Sequence, residues 1–152
     1  MLDEIDIAIL EILQKNARTK RNELADEVGL SLPSVSERMR KMEELGVIHG
    51  YHAVVDPKSV GKDVTAFITV TVDSSKHFQP FIEHVCANDE ILEVHAVTGE
   101  GTHLLKIRTE NTSTLEKLLA KIQSWHGVTR STTSVVLSSA KETMRLKITK
   151  HK

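Results

Sequence analysis

The stretch Asn22-Glu23-Leu24-Ala25-Asp26-Glu27-Val28-Gly29-Leu30-Ser31-Leu32-Pro33-Ser34-Val35-Ser36-Glu37-Arg38-Met39 decides the first half of the chain. Leu24, Ala25 and Val28 recur at helical spacing, and Gly29 supplies the left-handed residue that ends a short helix. Ser31 is a side-chain cap for a second helix, and Pro33 falls in its first turn, where a missing N–H costs nothing. Val35, Met39, Met42 and Leu45 then form its inward stripe, and Gly46 ends it. Ala25 allows close helix approach, and Val28 and Val35 can pack across the turn. This is the spacing of a helix-turn-helix.

Outward from that turn lie Arg21, Ser31, Ser34, Ser36, Glu37, Arg38, Arg40 and Lys41. Arginines grip guanine edges or phosphates, and serine hydroxyls do either more weakly, so this face suits a DNA major groove. The same residues also suit a solvated helix surface. Upstream, Ile5, Ile9, Ile12 and Leu13 mark an earlier helix, with Asp3 as its cap and Glu4 and Asp6 at the positive end of its dipole. Downstream, Val47 to Val55 reads as a two-strand hairpin broken at Gly50. Asp56-Pro57 and Gly61 then form a linker.

Beyond the linker the period changes to that of strands alternating with helices. Ala66, Ile68, Val70 and Val72 share one face of a strand, and Phe78, Phe81, Ile82 and Val85 form a helical stripe. Leu92, Val94 and Ala96 face one way on a second strand, opposite Ile91, Glu93, His95 and Val97. A turn at Thr98 to Thr102 leads to a strand over 104–108. Ser113-Thr114-Leu115-Glu116 reads as a capping box for a helix carrying Leu115, Leu118, Leu119, Ile122 and Trp125. A last strand spans 128–138. The order is ferredoxin-like βαββαβ, with both helices on one face of an antiparallel sheet. Its other face, bearing Phe67, Val97 and Leu104, points to dimerisation. The fold class is therefore α+β. The expected domains are a winged helix-turn-helix over 1–62, a ferredoxin-like domain over 63–140 and a basic tail over 141–152.

Composition sets bounds on function. Of the 152 residues 39% are hydrophobic but only 3% aromatic, so the cores rest on Leu, Ile and Val. The net charge of −1 excludes an indiscriminate polycation, yet positive charge is clustered. Lys15, Arg18, Lys20 and Arg21 put four cations in seven residues, and the tail carries five against Glu142 alone. No stretch is long and apolar enough to span a membrane and no N-terminal signal stands out, so a cytoplasmic location is expected. The single cysteine, Cys86, cannot form an internal disulfide and reads as a small buried hydrophobe. The eight histidines show no metal-ligand spacing, so no metal site and no catalytic residue are expected.

Several stretches together resemble the Lrp/AsnC family, the feast/famine amino-acid-responsive regulators. They are Leu2-Asp3 to Leu10, Glu23-Leu24-Ala25, Val28-Gly29-Leu30-Ser31, Val35-Ser36-Glu37-Arg38, Leu45-Gly46-Val47-Ile48-His49-Gly50-Tyr51 and Val55-Asp56-Pro57. Val97-Thr98-Gly99-Glu100 with Leu104-Leu105-Lys106 adds to them. The resemblance implies a cytoplasmic transcription regulator that binds double-stranded DNA and forms homodimers, with assembly to octamers. It needs no cofactor. Its effector, usually an amino acid, lies between ferredoxin-like (RAM) domains beside the Gly-acid turn. Carried across, the effector residues are Gly99, Glu100, Gly101 and Thr102, with Ser131 and Thr133 on the last strand. Taken without the family, Gly99-Glu100-Gly101 is also an ordinary hairpin turn. Where many members have a second acid and an aromatic, this chain has Thr102 and His103, which leaves the effector's identity open. The alternative is an Lrp-like enzyme of the sirohaem decarboxylase type working through His95 and His103, which flank the turn. The charged helix face disfavours it, as it does a purely oligomeric scaffold.

Overall fold

The computed structural model describes residues 1–149, and the chain divides into two compact units. The first joins residues 1–54 to residues 141–149, and the second is the continuous run 55–140. The chain therefore passes between units at Val54–Val55, ahead of the expected boundary at 62. The C-terminal segment belongs to the first unit. Lys150, His151 and Lys152 of the basic tail lie outside the described residues.

The first unit is built on three helices, α1 (Glu4–Lys15), α2 (Arg21–Val28) and α3 (Leu32–Glu44). Asp3 caps α1 by accepting the N–H of Asp6 at 2.8 Å, and the Asp6 carboxylate accepts the N–H of Asp3 at 3.1 Å. Helix α2 stops at Gly29, where φ is +70°. Ser31 Oγ accepts the N–H of Ser34 to start α3. Ile9, Leu13, Leu24, Ala25, Val35, Met39 and Met42 make the core.

Two expectations fail at the end of α3. Leu45 is 78% exposed rather than inward, because the helix ends at Glu44 and the chain turns away at Gly46. Ile48 packs on the core instead, and its N–H and that of Val47 both return to the Met42 carbonyl. The second failure is the hairpin: the segment from Val47 to Val55 pairs with no strand, and Val54 is 98% exposed.

The second unit contains β1 (Val64–Val72), α4 (Phe78–Cys86), β2 (Ile91–Ala96), β3 (His103–Thr109), α5 (Thr112–Ser124) and β4 (Val128–Val135). The sheet is antiparallel in the order β2-β3-β1-β4, the ferredoxin-like arrangement. Ala66, Ile68, Val70, Leu105 and Ile107 pack beneath Phe81, Val85, Leu118 and Ile122 of the helices.

Local details differ from the sequence reading for definable reasons. A bulge between Ile91 and Glu93 turns Ile91 and Val94 inward and leaves Leu92 exposed. The cap of α5 is Asn111, which accepts the N–H of Thr114 while Thr114 Oγ1 accepts that of Asn111. Ser113 is thus already inside the helix. Cys86 is exposed, since the residue after buried Val85 is rotated about 100° off the inward stripe.

Candidate DNA-binding face and effector recess

Helix α3 buries Val35, Met39 and Met42 and turns its remaining residues outward. Arg21, on α2, donates to Ser36 Oγ at 3.4 Å, and Ser31 Oγ donates to Ser34 Oγ at 2.9 Å. Arg40 grips Glu37 through Nη2 at 2.6 Å and Nε at 2.9 Å, and also pairs with Glu44. These carboxylates push the Arg40 pKa upward, and Arg40 in turn lowers that of Glu37. Arg40 is therefore a cation already partnered along its own helix.

Arg38 is turned back into the unit. Its Nη1 lies 2.6 Å from Asp3 Oδ2 and 3.0 Å from Asp6 Oδ1, and its side chain is only 29% exposed. Bonds from Asp3 and then Asp6 raise its pKa. The carboxyl of Asp3 is lowered, first by the Asp6 N–H and next by Arg38. Arg38 thereby ties α3 to the capping box of α1. Among the described residues, Lys41 and Arg21 form no ion pair, and both are exposed.

In the second unit the turn between β2 and β3 closes on the open sheet face. Gly99 and Gly101 take φ of +93° and +73°. A Cβ at Gly101 would stand 2.5 Å from Cγ2 of Thr69 and 3.0 Å from the Val70 carbonyl oxygen, so only glycine lets the turn approach this closely. Thr102 faces inward. Its Oγ1 accepts the Val72 N–H at 3.0 Å and lies 3.2 Å from the Val70 oxygen, which holds the turn to β1.

Glu100 and Gly101 line a recess of about 200 Å³ with Thr69, Thr71, Arg130 and Thr132. Ser131 and Thr133 do not reach it. They pair with Val70 and Ile68, whose side chains face the helices, and Ser131 Oγ accepts a bond from Gln123 of α5 at 3.2 Å. Strand alternation puts Arg130 and Thr132 on the turn's face instead, opposite Thr71 and Thr69. These four residues were missed by the sequence reading. The signal for them was the parity of β4 relative to buried Ile68 and Val70.

His95 and His103 do not approach each other. Ala96 pairs with His103 and His95 with Leu104, so the two rings lie on opposite faces of the sheet. His95 is exposed and bonds Glu93 at 2.9 Å, which lowers the Glu93 carboxyl. His103 is 2% exposed, with its ring centroid 4.9 Å from Phe78 and 5.0 Å from Phe81. Burial lowers its pKa. A site built on both histidines is not assembled. Among the described residues, no group of three His, Cys, Asp or Glu converges to hold a metal, and no helix is long and apolar enough to cross a membrane.

A capped helix-turn-helix and a separate ferredoxin-like unit with a polar recess define a DNA-binding regulator of two parts. Comparison with known proteins agrees on both. Residues 2–49 match a winged helix-turn-helix DNA-binding domain, and residues 65–146 match the Lrp/AsnC ligand-binding domain. The chain is 37% identical over 147 residues to the HTH-type transcriptional regulator FL11 of Pyrococcus abyssi, covering 97% of each. It is 36% identical to the leucine-responsive regulatory protein of Klebsiella pneumoniae over 97% of this chain and 92% of that one. A transcriptional regulator of Neisseria meningitidis, solved with L-Met, superposes with a TM-score of 0.91 at 32% identity, covering 97% of each chain. The AsnC structure from E. coli gives 0.87 at 32% identity, covering 97% of this chain and 98% of that one. The chain belongs to the Lrp/AsnC family and is a DNA-binding transcription regulator.

Proposed function

We propose that this regulator senses an amino acid in the recess beside Glu100 and couples its binding to DNA through α3. The observation that carries the reading is the recess itself, where an acid and a base stand together on an otherwise open sheet face. A free amino acid presents the matching ammonium and carboxylate. The L-Met held by the Neisseria relative supports the class of ligand. Phe67 and Leu104 on the same face suit a second subunit, so the working form is a homodimer, with octamers as the larger assembly. Two helix-turn-helix units then meet successive half-sites of a pseudo-palindromic duplex in the cytoplasm.

Within the head, Lys41 and Arg21 contact phosphate directly, and Ser31, Ser34 and Ser36 contact phosphate or base edges. Arg40, paired with both Glu37 and Glu44 in the free protein, reaches the DNA only by exchanging those carboxylates for phosphate. Arg38 acts by fixing the angle of α3 through Asp3 and Asp6. The test uses duplex DNA selected from a randomised pool, titrated with the full chain. Lys41→Ala should weaken binding and lower the slope against log salt by about one phosphate contact. Each amino acid is then added in turn. At least one should shift both the melting temperature and the DNA affinity. If no amino acid moves either quantity, the sensing reading fails; an unchanged salt slope in Lys41→Ala removes that residue from the interface.

A further inference from the structure

The recess holds more information than its charge. Its lining contains one cation, Arg130, one anion, Glu100, three threonines and a glycine. Phe67 and Leu104 share the sheet face but do not line it. The register sets Arg130 beside Thr71 and Thr132 beside Thr69, so the three hydroxyls and the guanidinium form a patch across β1 and β4 under the turn. Arg130 makes no ion pair among the described residues and is exposed.

Resting on the amino-acid reading above, we propose that Arg130 is the carboxylate anchor and that the threonines select an uncharged polar amino acid. A zwitterion brings one positive and one negative group, and Glu100 and Arg130 supply one partner for each. The planar guanidinium fits a carboxylate through two parallel bonds. Both charges are then committed, so a second charge on the ligand's side chain would lose water without gaining a partner. The hydroxyls of Thr69, Thr71 and Thr132 each donate and accept. A hydroxyl or carboxamide side chain satisfies them, whereas an aliphatic one leaves them desolvated and unpaired. The ligand class is therefore that of serine, threonine, asparagine and glutamine.

Calorimetric titration of the full chain tests this with L-serine, L-threonine, L-asparagine and L-glutamine against L-leucine, L-methionine, L-aspartate and L-lysine. One of the first four should bind at least about tenfold more tightly than any of the second. Arg130→Leu should weaken that ligand by a factor of about ten or more, with Arg130→Lys intermediate. Because Arg130 shares the sheet face assigned to the second subunit, sedimentation is run alongside, and the loss must persist in samples whose assembly matches the parent protein. Thr132→Val should erode the preference for the polar side chain while retaining binding. Tightest binding by one of the second four ligands, or full affinity in Arg130→Leu, overturns this assignment and leaves amino-acid sensing standing. Absence of binding by all eight overturns this assignment, and indifference to every amino acid in the screen described above overturns both.

Discussion

The side-chain amide of Gln14 closes two hydrogen bonds on the backbone of Leu146. Its Nε2 donates to the Leu146 carbonyl at 3.0 Å, and its Oε1 accepts the Leu146 N–H at 2.7 Å. The amide thus satisfies both backbone groups of a residue 132 positions away, as a neighbouring strand would. Arg145 reaches Glu11 at 3.2 Å, and Ile148 packs against the helical core. The DNA-binding unit is therefore completed by a segment that the chain supplies after the ferredoxin-like unit has ended.

Removing that segment should loosen the head alone. Gln14→Ala is expected to cost about 1 kcal/mol, the net value of exposed-side hydrogen bonds. Truncation after Ala140 should cost about 2 kcal/mol, since it also removes the half-buried Ile148 and a partly exposed ion pair of small value. Hydrogen exchange reads this locally: amides of Ile9 to Leu13 should exchange faster, and those of Ile68 and Leu105 should not change. Equal acceleration in both units would contradict a local role for the strap.

The boundary between what sequence reveals and what it hides follows the range of each interaction. Asp3, Ser31 and Gly29 announce helices α1 to α3 because caps and left-handed turns are settled within four residues. The sandwich of α4 and α5 on the sheet follows from the stripes of Phe81 with Val85 and Leu118 with Ile122. Strand alternation separates two faces of β4 but does not say which is inward; only pairing with buried Ile68 and Val70 puts Arg130, rather than Ser131, at the recess. The bulge near Leu92 reverses part of β2 for the same reason. Arg38 has the chemistry of a DNA contact, and its diversion to Asp3 and Asp6 depends on an approach across 32 to 35 residues. No local pattern encodes the Gln14–Leu146 bonds.

The two glycines of the recess turn should respond unequally to substitution. Gly99 and Gly101 both hold positive φ, so alanine at either carries a conformational cost of about 1 kcal/mol. At Gly99 nothing lies within 4 Å of the added Cβ, and that cost is the whole effect. At Gly101 the methyl meets Thr69 and the Val70 carbonyl, so the turn must lift and Thr102 loses its hold on β1. Gly101→Ala should cost about 2–4 kcal/mol in total and abolish effector binding, whereas Gly99→Ala retains it. Thermal unfolding with calorimetric titration separates the two. Equal losses would mean that close approach is not what reserves position 101 for glycine.

His103 gives the ferredoxin-like unit a dependence on acidity. The ring is enclosed by Phe78 and Phe81, and burial lowers its pKa below the ordinary 6.5. The unfolded chain therefore takes up the proton first as pH falls. Stability is complete above about 6.5 and declines as pH drops from there through the lower folded value, because the unfolded state binds more protons over that window. The Glu93 carboxyl, lowered from 4.5, adds its own loss only at more acidic pH, so the two effects are separable. His103→Phe keeps an aromatic ring in the cluster and removes the titration, which should flatten the stability curve between neutrality and pH 5. Denaturant unfolding at half-unit intervals measures the difference between the two proteins. An identical slope in the variant would show that His103 protonation is not linked to folding.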